Sequence, residues 1–296
     1  MTPAVSSGAI AWLRQPALLR RLALASVVVN IGIVVTGGAV RLSNSGLGCP
    51  TWPRCVGDSL VPHAKLGLNG AIEFTNRSLT FVVGLTLLAT FVVAWVQRRH
   101  AGLALLALAA IPAQAVLGGI VVLTDLNPWL VAAHFLLSAG IIAVTLLLWW
   151  RVSEHESASV PIAAMWLSRA LAGVALLVLA AGTVVTGAGP HAGDLKNGHV
   201  HRIHLSIAGV AQLHADLVMV LIGLTIGVVV VGYTIGVRVL RDAALLLLGV
   251  ELAQGAIGYT QYFLHVPPVL VGFHMLGACL VWVAALRVLL LVRTAG

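Results

Sequence analysis

The chain has 296 residues, 60% of them apolar and 9% charged, with a mean hydropathy of +1.04. These values exclude a soluble domain and indicate a polytopic membrane protein. The formal net charge of +8 lies in loops and forms no basic stripe, so it reads as a topology signal and excludes nucleic acid as a partner.

Eight apolar stretches run in chain order over 22–40, 72–96, 102–123, 129–150, 168–188, 212–236, 243–263 and 269–291. Each is near the roughly 20 residues a helix needs to cross the hydrocarbon core. They are continuous runs of Ala, Leu and Val, not ten-residue alternations, which excludes a barrel. The expected fold is all-α, with eight transmembrane helices arranged as two pseudo-symmetric four-helix bundles. Residues 1–21 are expected to form a cytoplasmic N-terminal segment without a cleaved signal. Residues 22–150 form one half, 151–167 a polar cytoplasmic linker and 168–296 the other half.

Eleven Lys and Arg flank one side: Arg14, Arg20, Arg21, Arg98, Arg99, Arg151, Arg169, Arg238, Arg241, Arg287 and Arg293. Five flank the other: Arg41, Arg54, Lys65, Lys196 and Arg202. Both termini are therefore expected in the cytoplasm. The loops after the first and fifth stretches, 41–70 and 189–210, are long and rich in Gly and Pro. They lie outside and are placed to lid a site there. Cys49 and Cys55 share the first of them. On the oxidising side a disulfide is expected, with free thiols or a metal pair as the alternatives. Cys279 falls inside the last stretch and reads as an inert buried thiol.

The halves repeat one another. Val34-Val35-Thr36-Gly37 recurs as Val184-Val185-Thr186-Gly187, Gln114 as Gln254, and His134 as His274. Glu73-Phe-Thr-Asn76 lies opposite Ala211-Gln-Leu-His214. Asn76, His134, His214 and His274 each begin a helix running inward, so they share a depth of roughly 5–10 Å below the outer boundary. Facing helices that each supply a histidine can hold haem, which makes His214 and His274 a candidate axial pair. Zinc would want more ligands than either half offers, and copper is harder to exclude.

Glu73 shares a helix face with Asn76. Its repeat mate is Ala211, so it reads as functional and not only as an acid complementing a helix dipole. Arg41 and Arg77 lie on the outer side, where they could pair with haem propionates or simply snorkel. His191, His199, His201 and His204 read as solvated loop residues, with a metal site as the alternative. Glu251, near mid-membrane, reads as protonated and hydrogen-bonded to a neighbouring helix, with a proton relay as the alternative.

Several segments together resemble haem A synthases. They are Thr36-Gly-Gly-Ala-Val-Arg41-Leu-Ser, Gly46-Leu-Gly-Cys49-Pro-Thr-Trp-Pro, Ile72-Glu73-Phe, Thr186-Gly-Ala-Gly-Pro-His-Ala-Gly-Asp194, Gln212-Leu-His214-Ala-Asp and Phe273-His274-Met. The resemblance implies an oxidoreductase that turns the C8 methyl group of haem O into the formyl group of haem A for cytochrome c oxidase. It implies haem b between His214 and His274, and His134 as the axial ligand of the substrate haem. Glu73 would be the catalytic acid, with Arg41, Arg77 and Asn76 near the substrate. Haem O synthase and cytochrome c oxidase assembly factors are the partners implied, within the lipid bilayer of the cell membrane and with the haem sites toward the outer face. The chain departs from the family's pattern at Asn76, where histidine is usual. An amide is a poor iron donor, so either His134 holds the iron alone or a loop group such as His63 completes it. A dihaem electron carrier would explain the histidines but not Glu73. A transporter would explain the duplication but not a ligand pair.

Overall fold

The computed structural model describes residues 11–155, 157–194 and 201–294. Among them are eight long helices: α1 (Pro16–Leu42), α2 (Gly67–Gln97), α3 (Ala101–Leu123), α4 (Pro128–Val152), α5 (Ile162–Ala188), α6 (Ile207–Thr234), α7 (Arg238–Phe263) and α8 (Pro268–Leu290). All eight are long and apolar enough to cross a bilayer, as the continuous apolar runs predict, and the chain is a multi-pass membrane protein. The helices begin earlier than several apolar stretches do. α1 opens at Pro16 and α2 at Gly67, because a helix persists past the hydrocarbon core wherever polar side chains can reach water.

The surface is what lipid contact demands. Phe81, Leu85, Trp95, Met219, Leu252 and Tyr259 all lie exposed on the helices. In water such a surface would aggregate, but lipid tails are as apolar as these side chains. Polar groups turn inward and pair there. Ser26 and Thr90 share a 2.9 Å hydrogen bond between α1 and α2. Glu251 of α7 accepts a 2.8 Å bond from the Thr225 hydroxyl of α6.

The helices pack in two closed circuits. α1 meets α2, α2 meets α3, α3 meets α4 and α4 returns to α1; α5 to α8 do the same in the same order. The circuits join where α8 meets α1 and where α4 meets α5 and α8. Trp282 of α8 donates its indole N–H to the Ala139 carbonyl of α4 at 2.9 Å across this seam. The α3–α4 and α7–α8 loops match in detail. Each places two successive residues in the left-handed region, Asp125 and Leu126 in one and His265 and Val266 in the other. Left-handed Leu and Val are costly, and each is held by its own N–H, Leu126 to the Val121 carbonyl at 2.9 Å and Val266 to the Gln261 carbonyl at 2.6 Å. At the opposite end, β1 (Ala158–Val160) pairs in parallel with β2 (Val292–Thr294), which ties the α4–α5 connection to the end of the chain.

The α1–α2 loop carries the Cys49–Cys55 disulfide, as expected, and Cys279 is buried and unbonded. Trp52 of this loop lies flat on α3, its indole against Gly119 where any Cβ would collide with the ring. Gly119→Leu should therefore expel Trp52 at a cost of about 1–3 kcal/mol. Limited proteolysis between residues 50 and 63 is the measurement. Faster cleavage in the variant is expected, and an unchanged rate would mean the loop is held by other contacts.

Candidate functional site

His214 on α6 and His274 on α8 face one another, with ring centroids 6.4 Å apart and planes inclined at 70°. Two metal–imidazole bonds of about 2 Å each, with the ring radius added on either side, span about 6 Å. The pair is therefore spaced to take one metal ion between its rings. Nδ1 of His214 and Nδ1 of His274 are both buried without a hydrogen-bond partner. A buried imidazole nitrogen with no partner keeps its donor capacity for a metal. Two imidazoles with no group of three or more metal-ligating side chains among the described residues suit a planar iron porphyrin better than zinc.

Each histidine sits against a glycine of the preceding helix. A Cβ at Gly182 would stand 3.3 Å from His214 Cε1, one at Gly258 would stand 3.5 Å from His274 Cε1, and one at Gly118 would stand 3.1 Å from His134 Cε1. A Cβ at Gly118 or Gly182 would press the ring by a few tenths of an ångström, whereas one at Gly258 would only reach ordinary contact. Gln114 and Gln254 add a tether, donating to the backbone carbonyls of His134 and His274 at 3.0 Å and 2.8 Å. The amino-acid pattern does not single these glycines out as ring contacts. The signal it carries is the spacing, since Gly118 precedes His134 by the same sixteen residues that separate Gly258 from His274.

In the first half, His134 of α4 has the same glycine and the same glutamine beneath it but no facing imidazole. Asn76 of α2 stands near Gly37, its Nδ2 3.9 Å from where a Cβ would be. Its Oδ1 accepts a 2.7 Å hydrogen bond from the Thr36 hydroxyl. That bond spends the carbonyl oxygen, the better donor atom of the amide.

Glu73 is 5% exposed and fully engaged. Oε2 accepts the Cys49 N–H at 2.6 Å, and Oε1 accepts from Arg77 Nε at 3.0 Å and Nη2 at 2.5 Å. Arg77 in turn donates to the Cys49 carbonyl at 2.8 Å and the Thr51 carbonyl at 3.0 Å. The ion pair thus clamps the disulfide-bearing loop onto α2. Gly48 lets the chain through, because a Cβ there would overlap the Asn69 carbonyl. Removing one member of such a buried pair strands the other, which costs far more than the pair is worth.

Arg41 leaves its own half. Nε donates to the His191 carbonyl at 2.6 Å and Nη2 to the Thr186 carbonyl at 3.0 Å. Arg41 and His191 each follow the repeated Val-Val-Thr-Gly at the same distance, so one repeat position grips its counterpart. His191 itself bonds the Val266 carbonyl at 2.7 Å. Both outer arginines expected near a substrate are therefore held by protein acceptors. His63, His201 and His204 are exposed. Lys196 and His199 lie outside the described residues, among which no group of three or more His, Cys, Asp or Glu could hold a metal ion.

The family described as cytochrome oxidase assembly protein matches residues 20–286. A haem A synthase of Lysinibacillus sphaericus is 34% identical over 143 residues, covering 47% of this chain and 46% of that protein. A haem A synthase of Hyphomonas neptunium is 27% identical over 228 residues, covering 63% of each. A protohaem IX farnesyltransferase of Natronomonas pharaonis is 33% identical over 144 residues, covering 47% of this chain and 30% of that protein. The chain spans about half the length of the first of these curated relatives. The family match runs over nearly the whole chain, through every helix that carries a site residue, and the chain belongs to the haem A synthase family of cytochrome oxidase assembly proteins.

Proposed function

We propose that the chain is a haem A synthase, oxidising the C8 methyl group of haem O to a formyl group, with the product serving cytochrome c oxidase. The observation that carries the reading is the unequal pair of sites. One half has two facing imidazoles, and the other has one imidazole, an amide and a buried, hydrogen-bonded carboxylate. Two pseudo-symmetric halves, 22–150 and 168–296, would then divide the labour between a resident cofactor and the substrate. A dihaem carrier would have no use for that inequality.

His214 and His274 would hold haem b, with Gly182 and Gly258 setting how closely the rings approach. Bound there, haem b supplies one-electron chemistry. His134 would bind the substrate iron from one side. Asn76, turned to Thr36, leaves the other side without a strong donor. Glu73 is held by Cys49 and Arg77, which suits a fixed negative charge that stabilises positive charge on the substrate as it is oxidised. Acid–base transfer by Glu73 would first require release from Arg77. Arg41 and Arg77 would shape the site by holding the two long loops over it. With eleven Lys and Arg on one flank, the termini would lie in the cytoplasm and the disulfide loop outside. A haem O synthase in the same membrane would supply the substrate, and the partial likeness to a protohaem farnesyltransferase is in keeping with that.

The test is haem A content in cells that co-express a haem O synthase. Haem A is expected only when this chain is present, and haem O alone in both cases would contradict the reading. His214→Ala and His274→Ala should each abolish a low-spin haem b spectrum, because each deletes an axial donor, and His134→Ala should leave it. Loss of that spectrum in His134→Ala alone would reverse the assignment of the halves. Glu73→Gln should keep haem b and lower haem A yield by about 100-fold or more. Its amide also turns a donor toward Arg77 or Cys49, so Arg77→Gln is the control for loop loosening. A wild-type yield from Glu73→Gln would reduce Glu73 to a loop clamp.

A further inference from the structure

Glu251 has no part in the site described so far, yet it is the most deeply buried acid among the described residues, 2% exposed in the middle of α7. Oε1 accepts the Thr225 hydroxyl at 2.8 Å. Oε2 is buried and has no partner. No cation pairs with Glu251 among the described ion pairs. An unpaired charge in hydrocarbon is strongly disfavoured, so the group is a neutral carboxylic acid. A neutral acid has one O–H, and that O–H needs an acceptor.

One turn further along the same face stands Gln254, 9% exposed. Its Nε2 donates to the His274 carbonyl at 2.8 Å. That bond fixes which way the amide points, and it leaves Oε1 as the spare end. Gln254 Oε1 is buried and without a partner too. The amide is pressed into a slot on α8 where a Cβ at Gly277 would overlap it, so it cannot turn away. Two orphaned oxygens three residues apart on one helix face, one of them on an acid with a proton to give, satisfy each other.

We propose that Glu251 is a positioning residue whose protonated carboxyl donates to Gln254 Oε1, completing a relay from Thr225 through Glu251 and Gln254 to the backbone of His274. The relay joins α6, α7 and α8, and α6 and α8 are the two helices that carry the facing histidines. It sets the height and rotation of His274 relative to His214. The first half lacks it. Ile111 stands at the place of Glu251 and Leu87 at the place of Thr225, although Gln114 and His134 repeat the lower link. A resident cofactor held from both sides needs both rings fixed, whereas a substrate that must leave does not. The proposal rests on His274 being an axial ligand.

The experiment compares Glu251→Gln, Glu251→Leu and Thr225→Val in the full chain, reading haem b retained through purification and its low-spin electron paramagnetic resonance signal. Glu251→Gln keeps one acceptor and one donor in the shape of the protonated acid, so both readouts should match wild type. Glu251→Leu strands Gln254 Oε1, while the Thr225 hydroxyl keeps the Leu221 carbonyl of its own helix at 3.0 Å. The variant should retain about tenfold less haem b, with a shifted or broadened signal. Thr225→Val keeps the acid and should show the same signal change in weaker form. This arm decides the matter if Glu251→Leu fails to insert. A wild-type signal from Glu251→Leu or from Thr225→Val overturns the relay. Damage from Glu251→Gln equal to that from Glu251→Leu overturns the protonated form. If His274→Ala, run alongside, keeps the low-spin signal, the ligand assignment falls and the relay falls with it.

Discussion

Everything at the candidate site depends on how closely one helix can approach the next. An imidazole stands closest against a neighbouring helix where that helix has no Cβ. Gly118, Gly182 and Gly258 provide that absence beneath His134, His214 and His274. In water such contacts would be assisted by the hydrophobic effect. In lipid, association must come from packing and hydrogen bonds, so small residues and inward polar side chains carry the load. The same constraint accounts for Gln114 and Gln254. Each holds the carbonyl of the histidine it faces, and so locks the ring-bearing turn to the helix before it.

From that shared frame the halves diverge at few positions, and the divergence is chemical. In the second, an imidazole faces an imidazole, and Glu251 with Thr225 supports the assembly from below. In the first, Asn76 is bound to Thr36, and Glu73 with Arg77 supports a loop from the side. One acid is buried in the middle of α7 with a hydroxyl partner, and the other is ion-paired near the end of the bundle. On the proposed reading, substitution at inward positions of a repeated frame would make one half suited to keeping a ligand and the other to exchanging one.

Much of this was legible in the sequence. The helices were legible because lipid demands long unbroken apolar runs, which α3 and α4 follow to within a residue or two at each end. The ends of α1 and α2 were not, because helices continue past the apolar run. The facing of His214 and His274 was legible because the repeat carried each onto a helix of known direction. Arg41 and Arg77 show the limit. Besides the Glu73 carboxylate that Arg77 also meets, their acceptors are backbone carbonyls at His191, Thr186, Cys49 and Thr51, and a carbonyl leaves no mark in a sequence. Both read as arginines that pair with propionates or snorkel, whereas loop backbone had claimed them. The partner of Glu73 was hidden for the same reason, since half of its environment is the Cys49 amide.

The inequality of the two sites is the central claim, and electron paramagnetic resonance of the protein carrying both haem b and haem O tests it most directly. His214 with His274 should give a low-spin signal from two imidazoles. His134, whose repeat-related partner position holds Asn76 already bound to Thr36, should give a second signal that is high-spin. Two low-spin signals of equal intensity would contradict the account, since a second strong donor would then complete the first site in spite of Asn76.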